Sequence, residues 1–295
     1  MCFLALCWLV LSTDAHDPPS PQRFAFMHVA KAGGSSAQDH IPKIMKWSSC
    51  NKYANWGTFG AYVGEVKKLG DGAWGRECTY LAFEWTSFLQ DTELGKVGYK
   101  YPGDYNVLTT VRSPLSHFLS AAAHTMLAHK LILGSEITLG DIIDSTLRGE
   151  PWYYYLRNFQ AQYFSPSPYH SDQVTHSNRV KGVKEGKPLM EVNLTAAVDY
   201  LRGVYWFAVL EHMDLSMHLL HCQVHGTPIA SEGQKKNAAV LNARPAHLGF
   251  DKLTFKNLAD IQKLTSLDTI FYSLAVEDFW KRVRLQRECL APELK

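Results

Sequence analysis

Four short apolar runs constrain the fold of this chain more than any other feature of its sequence. They occupy residues 23–29 (RFAFMHV), 79–83 (TYLAF), 105–111 (YNVLTTV) and 204–210 (VYWFAVL). Runs of this length that do not alternate with polar residues are typical of strands buried on both faces of a sheet. Because segments of helical periodicity lie among them, we predict an α/β fold with a central, mainly parallel sheet flanked by helices and a helix-rich C-terminal half.

Three segments after the third run have the residue spacing of helices. Residues 135–147 would bury one apolar face, and residues 151–164 (PWYYYLRNFQAQYF) are aromatic-rich with a proline at the start. A third helix is predicted from Ser266 onward. Its apolar face would contain Leu267, Ile270, Phe271, Leu274 and Val283.

One domain is predicted for residues 23–290, because no linker divides it, with residues 291–295 as a tail. The segment 1–22 contains an apolar run of about ten residues, the length of a signal-peptide core and too short to span a bilayer. We expect a signal peptide or a truncated membrane anchor there, followed by a linker. A net charge of +2 is too small to indicate bulk nucleic-acid binding, so any anionic ligand needs a local basic site.

The cysteines and a glycosylation sequon bear on the compartment. If Cys2 and Cys7 leave with the N-terminal segment, four cysteines remain, and we favour the pairs Cys50–Cys78 and Cys222–Cys289, because each lies within one half of the chain. Buried free thiols are the alternative. Asn193, in NLT, is the one sequon, and it is consistent with a protein of the secretory lumen.

The first apolar run leads into FMHVAKAGGSS, a strand–loop–helix pattern that predicts an anion site. Glycines allow positive φ and close backbone approach, and the first amides of a helix point towards whatever lies in the loop. Lys31 would add a charge, while Ser35 and Ser36 would cap a helix that continues through Pro42. In the usual triphosphate loop the lysine follows the glycines, whereas Lys31 precedes Gly33 and Gly34.

A second anion site is predicted at TTVRSPLSHFLS. Arg112 leaves the end of the third run, Pro114 suits the start of a helix, and Ser120 lies about one and a half turns into that helix. An arginine fork and a hydroxyl at the carboxyl edge of a sheet suit a phosphate. Alternatively, Arg112 pairs with an acid and Ser120 packs on the helix.

The two motifs together resemble those of the Golgi carbohydrate sulfotransferases, especially the heparan sulfate 6-O- and 2-O-sulfotransferase group. AKAGGSS is similar to that group's PKTGGTS after a strand, and VRSPLSHFLS is similar to its arginine-x-proline segment with a serine eight residues after the arginine. Shorter likenesses follow in YLRNFQAQYF, FAVLEHMDLSMHLL and SLDTIFYSLAVEDFWKRV. The resemblance covers about Phe24 to Arg284 and implies a P-loop-like sulfotransferase fold.

What the resemblance implies is a donor, 3′-phosphoadenosine 5′-phosphosulfate, and an acceptor hydroxyl on a glycan, with no metal needed. It assigns the 5′-phosphosulfate to Lys31, Ala32, Gly33, Gly34, Ser35 and Ser36, and the 3′-phosphate to Arg112 and Ser120. Lys31 would also stabilise the departing phosphate. It further implies a Golgi enzyme of the secretory pathway.

The general base is where the chain departs from the 6-O group. That group has a histidine in a His-Ala-Asp-Trp-Thr segment, and the matching AFEWTSF has Ala82 at the histidine position. We predict Glu84 as the base, because other sulfotransferases use a glutamate and burial would raise its pKa towards neutrality. The alternative is a salt-bridged or surface glutamate. His28, within the first run, is interpreted as a packed core residue, and His117 and His124, on the helix after Arg112, are weaker candidates for the base.

Three further groups are candidates from the resemblance or from their charge. Arg157, Asn158 and Gln160 match a family segment near donor and acceptor. Lys236, Asn242 and Arg244 match a late donor loop. The basic stretch 179–187 would meet an anionic glycan or simply be solvated.

Three other functions stay open. These are protein-tyrosine sulfation, non-catalytic binding of a nucleotide or glycan, and a nucleoside-triphosphate kinase, against which the position of the lysine argues.

Overall fold

Four parallel strands form one sheet, and they are β1 (Phe24–His28), β2 (Tyr80–Glu84), β3 (Asn106–Val111) and β4 (Trp206–Val209). The computed structural model describes residues 24–29, 31–47, 80–84, 106–150, 153, 156–165, 192–229 and 253–291. The sheet order is β2-β1-β3-β4. Mixed α/β structure with a parallel sheet is therefore confirmed, and each strand lies within two residues of its predicted bounds.

Helices make up most of the remaining described residues, in agreement with the helix-rich C-terminal half predicted above. In chain order they are α1 (Gly34–Met45), α2 (Pro114–Leu133), α3 (Leu139–Leu147), α4 (Phe159–Phe164), α5 (Leu194–Gly203), a 3₁₀ turn (Leu210–His212), α6 (Met213–His225), α7 (Phe255–Leu264), α8 (Ser266–Leu285) and α9 (Arg287–Leu290).

Helices cover both faces of the sheet. Trp206 of β4 donates its indole N–H to the carbonyl of Ser216 in α6 over 2.9 Å, while the neighbouring Phe207 packs against Phe279 of α8, with ring centroids 6.5 Å apart. Successive side chains of a strand point to opposite faces. The helices α6 and α8 therefore lie on opposite sides of β4, and this explains why the strand is apolar throughout.

The same alternation continues in β1. Phe24 stacks on Trp47, which follows α1, at 3.9 Å between ring centroids, whereas Met27 meets the hydroxyl of Tyr200 in α5. Because Phe24 and Met27 are three residues apart, they point to opposite faces. Helix α1 is thus on one side of the sheet and α5 on the other.

Two predicted helices differ from the observed ones. In the described part of the aromatic segment after residue 150, the α-helix begins at Phe159, because Asn158 has φ 45°, which a right-handed α-helix cannot include. In α8 the buried face is Asp268, Phe271, Ala275, Phe279 and Val283, whereas Ile270 is 48% exposed. An aspartate therefore occupies a position on the face that the sequence predicts to be wholly apolar.

Two other expectations concern the cysteines and the membrane. A disulfide joins Cys222 of α6 to Cys289 of α9, with 6.0 Å between their Cα atoms, so this predicted pair is confirmed. Cys50 and Cys78 lie outside the described residues, as do the segments 1–22 and 292–295. Among the described helices, none has the length and apolar character needed to cross a bilayer.

Candidate anion-binding site

Among the described strands, the connections change direction at one point of the carboxyl edge of the sheet. From β1 the chain moves outward to β2 on one side, then returns to form β3 and β4 on the other. In open parallel sheets the crevice beyond the carboxyl ends of the two strands at this switch point is where ligands bind. Here those strands are β1 and β3, and they are followed by Lys31 and Arg112 respectively.

A tight turn follows β1 and brings the chain into α1. The amide of Ala32 donates to the carbonyl of Val29 over 3.1 Å, which closes the turn. Lys31 has φ 65° and Gly33 has φ 82°, whereas Ala32 between them is not in this region. Alternating φ signs of this kind point successive amides into one concavity, a common anion-binding geometry. A left-handed lysine costs about 1 kcal/mol, and such strain concentrates at functional sites.

The beginning of α1 adds the positive end of a helix to this turn. Gly33 is the residue that precedes the helix, so the prediction that Ser35 or Ser36 caps it is wrong; both lie in the first turn. That turn contains no acidic residue, and helix geometry leaves its amides without an acceptor inside the helix. For the two serines and Gly34, the structure describes the main chain.

Arg112 connects the end of β3 with the turn after β1. Its Nη1 donates a hydrogen bond to the main-chain oxygen of Lys31 over 2.9 Å. Its own main chain is held by Gln160, whose Oε1 accepts from the Arg112 amide over 2.9 Å and whose Nε2 donates to the Arg112 carbonyl over 2.7 Å. The two predicted anion sites therefore touch each other, and a buried glutamine from α4 fixes the second.

The side chains of Asn158 and Asp268 cap each other's helices, α4 and α8. Asp268 accepts from the amides of Gln160 (3.3 Å) and Ala161 (2.7 Å), while Asn158 Oδ1 accepts from the amides of Leu267 (2.9 Å) and Asp268 (3.4 Å). Burial raises the pKa of Asp268 to about 7, and the amide hydrogen bonds oppose that rise. A side chain near the start of each helix thus accepts hydrogen bonds from the first amides of the other helix.

A second acidic group at this edge, Glu211, was not singled out in the sequence. It follows β4, accepts from the amide of Ser113 over 2.8 Å, and accepts from the hydroxyl of Tyr272 over 2.9 Å. Burial and the bond to Glu211 raise the pKa of Tyr272. Glu211 therefore stabilises the start of α2 beside Arg112, and its position directly after an apolar run is the signal that could have revealed it.

His28 ends β1 and is buried, in agreement with its predicted packing role. Burial and, to a smaller extent, the charge of Lys31 lower its pKa to about 4, so the imidazole is neutral at physiological pH. The hydroxyl of Tyr163 in α4 donates to the His28 carbonyl over 3.1 Å. Helix α4 therefore contacts both strands of the switch point, β1 through Tyr163 and β3 through Gln160.

The remaining predicted site residues have the following positions. Glu84 ends β2 with its Cα level with that of His28, and its side chain lies outside the described set. Ser120 is half-buried in the second turn of α2, as predicted, and Arg157 is exposed. Lys236, Asn242, Arg244 and the basic stretch 179–187 fall outside the described residues.

Asn158 and Gln160 are buried and bonded to main-chain groups, so the structure gives them a scaffolding position beside the switch point. Within the described ranges no cluster of histidine, cysteine and acidic side chains has the arrangement of a metal site.

The fold and this edge together define a parallel α/β protein with a glycine turn and an arginine at its switch point. Comparison of the chain with known protein families and with curated proteins finds no match.

Proposed function

We propose that this protein is a sulfotransferase that moves a sulfuryl group from 3′-phosphoadenosine 5′-phosphosulfate to a hydroxyl of a glycan. The observation that carries the proposal is the contact of Arg112 with the Lys31 carbonyl at the switch point. A donor with an anionic group at each end of its ribose needs two adjacent basic positions at one edge of a sheet. The proposal includes a P-loop-like sulfotransferase fold, which the parallel order β2-β1-β3-β4 supports.

The proposed donor contacts follow from the two parts of the site. The 5′-phosphosulfate accepts hydrogen bonds from the amides of residues 33–36, and the ammonium group of Lys31 faces its phosphate. The 3′-phosphate binds to the guanidinium of Arg112 and to Ser120. A half-buried arginine that already bonds to a carbonyl is held in one orientation, which lowers the entropy cost of binding.

The proposed reaction is an in-line displacement at sulfur. The acceptor oxygen forms a bond to sulfur, while the bond between sulfur and the bridging phosphate oxygen breaks and its electron pair stays on the phosphate. The acceptor proton passes to the carboxylate of Glu84, and Lys31 stabilises the charge on the departing phosphate. The Cα register between Glu84 and His28, three residues before Lys31, supports this role because it brings the base to the same edge.

Two observations support a lumenal location, for which we propose the Golgi. The disulfide between Cys222 and Cys289 is of the kind that persists in an oxidising compartment. Asn193 is exposed at the start of α5, where an attached glycan would project into solvent.

The proposal is tested with labelled donor and a panel of sulfate-free and partly sulfated glycans, acid-flanked tyrosine peptides and simple alcohols. Transfer to a glycan supports it, and transfer to tyrosine alone would move the acceptor to protein. Calorimetry with adenosine 3′,5′-bisphosphate, compared with ATP and magnesium, tests the donor separately. No transfer and no binding of the bisphosphate would contradict the proposal.

Glu84→Gln tests the base, and Glu136→Gln is the matched control, because Glu136 is exposed and pairs only with Lys130 among described residues. We expect the first variant to lose at least about a hundredfold in turnover and to bind the bisphosphate normally. The Glu136→Gln control should keep both wild-type turnover and normal binding of the bisphosphate. A wild-type protein that binds the bisphosphate but transfers nothing would instead be a non-catalytic binding protein.

A further inference from the structure

We propose that Gln160 is a positioning residue for Arg112, which it holds so that one guanidinium meets the Lys31 carbonyl and the 3′-phosphate of the donor. This inference rests on the proposed function and extends it to α4. Both ends of the Gln160 amide are used on the main chain of Arg112, at 2.9 and 2.7 Å, and the side chain is 0% exposed.

The need for such a residue follows from where Arg112 lies. Strand β3 ends at Val111 and α2 begins at Pro114, so neither the sheet nor the helix fixes the main chain of Arg112. The Gln160 side-chain amide pairs with the main-chain N–H and C=O of Arg112, as a neighbouring strand would. Without that amide, the partly buried N–H and C=O of Arg112 lose the two hydrogen bonds to Gln160, and the arginine can turn away from the crevice.

Gln160 is itself fixed from a distant part of the chain. Asp268 holds the amides of Gln160 and Ala161, and Asn158 holds the first amides of α8 in return. Asn158 and Asp268 are 6% and 1% exposed, so neither position has room for another rotamer in the packed interior. The position of Arg112 thus depends on α8, which follows it by more than 150 residues in the sequence.

The chain offers a matched control on the same helix. Gln162 is also a buried glutamine of α4, and its Nε2 donates to the carbonyl of Arg157 rather than to a strand end at the switch point. Replacement of either glutamine by methionine removes a buried amide at constant length. Only the Gln160 change removes a contact to Arg112.

The experiment compares two probes, adenosine 3′,5′-bisphosphate and adenosine 5′-monophosphate, by calorimetry on the full chain. The ratio of their dissociation constants measures what the 3′-phosphate adds to affinity. We expect Arg112→Ala to bring this ratio near one and Gln160→Met to lower it by about tenfold. Gln162→Met should keep the wild-type ratio, and Arg112→Ala with Gln160→Met should equal Arg112→Ala alone.

A general loss of structure would weaken both nucleotides equally and leave the ratio unchanged, so a wild-type ratio in folded Gln160→Met overturns the inference. If circular dichroism shows that this variant does not fold, Gln160→Glu, which keeps the length and an acceptor and loses the amide donor, is compared in the same way. An unchanged ratio there also overturns it. Wild-type protein that binds neither nucleotide refutes the proposed function, and the inference with it.

Discussion

The guanidinium of Arg112 donates a hydrogen bond to the main-chain oxygen of Lys31, across 81 residues of sequence and 2.9 Å of space. The bond links the chain segments that leave β1 and β3, the two strands between which the sheet connections reverse. It also fixes the carbonyl of a lysine whose φ of 65° is unfavourable for a side chain with a Cβ. The conformation of the turn and the position of the arginine therefore depend on each other.

Arg112→Lys should weaken binding of adenosine 3′,5′-bisphosphate by about tenfold or more. A lysine keeps the charge but lacks the planar fork that reaches the Lys31 carbonyl and a phosphate together. Calorimetry measures the change. Arg148→Ala is the control, because Arg148 is an exposed arginine paired with Glu150, and its loss should leave affinity unchanged. Equal affinity of Arg112→Lys and wild type would contradict the shared-fork geometry.

Two substitutions at Lys31 separate its backbone strain from its charge. Both Lys31→Gly and Lys31→Ala should abolish sulfuryl transfer, since both remove the ammonium group. Lys31→Gly should be more stable than Lys31→Ala by about 1 kcal/mol, because only glycine adopts φ 65° without a Cβ penalty. Urea unfolding measures the difference. A Lys31→Ala protein as stable as the glycine variant would show that the turn is not strained.

Gly33→Ala should cost more stability than Gly134→Ala, although both glycines have positive φ, 82° and 66°. A Cβ on Gly134 meets nothing within 4 Å, so that change should cost about 1 kcal/mol for φ alone. A Cβ on Gly33 would lie 2.4 Å from Cδ1 of Leu210, which must move.

Bisphosphate affinity should fall only for the Gly33 variant, which distorts the anion-binding turn. Adding Leu210→Ala should restore part of its stability, because the contact is then removed while the φ penalty stays. If the two glycine variants unfold at the same urea concentration, Leu210 does not constrain this turn.

His28 and Asp268 should make the free energy of unfolding change with pH in opposite directions. The folded-state pKa of His28 is lowered from 6.5 to about 4, so its contribution is present above pH 6.5 and is lost as the pH falls towards 4. The folded-state pKa of Asp268 is raised from 3.8 to about 7, so its contribution is present below pH 3.8 and is lost as the pH rises towards 7.

The test is the free energy of unfolding in urea at a series of pH values between about 4 and 7. Relative to wild type, His28→Gln should lose a contribution to the free energy of unfolding that rises with pH. Asp268→Asn should lose a contribution that falls with pH. Parallel curves for wild type and both variants would mean that neither group has a shifted pKa.

The disulfide should contribute substantially to stability. Closing a segment of 67 residues is worth about 4 kcal/mol by loop entropy. The double variant Cys222→Ala with Cys289→Ala should therefore unfold at a lower urea concentration than the oxidised wild type. Addition of a reductant should lower the urea concentration at which the wild type unfolds towards that of the variant. Identical midpoints under oxidising conditions would show that the bond does not constrain the unfolded chain.

Local patterns in the sequence were sufficient for the strands and for the start of α2. The apolar runs predicted the positions of all four described strands because strands of a parallel sheet covered on both faces are rich in apolar residues without regular alternation. Pro114 marked the start of α2, since its missing N–H costs nothing there. The serine cap of α1 was predicted wrongly, because Gly33, with positive φ, is the capping residue and the helix begins at Gly34, before either serine.

What the sequence by itself determined is the set of elements and the chemistry at their ends: four apolar strand segments, a glycine turn after the first and an arginine after the third. What only the tertiary structure decided is how these ends meet. The bonds from Arg112 to Lys31, from Gln160 to Arg112 and from Asp268 to Gln160 join residues 81, 48 and 108 positions apart. Local propensity carries no information about such contacts, which depend on the strand order and on the packing of α4 and α8 beside it.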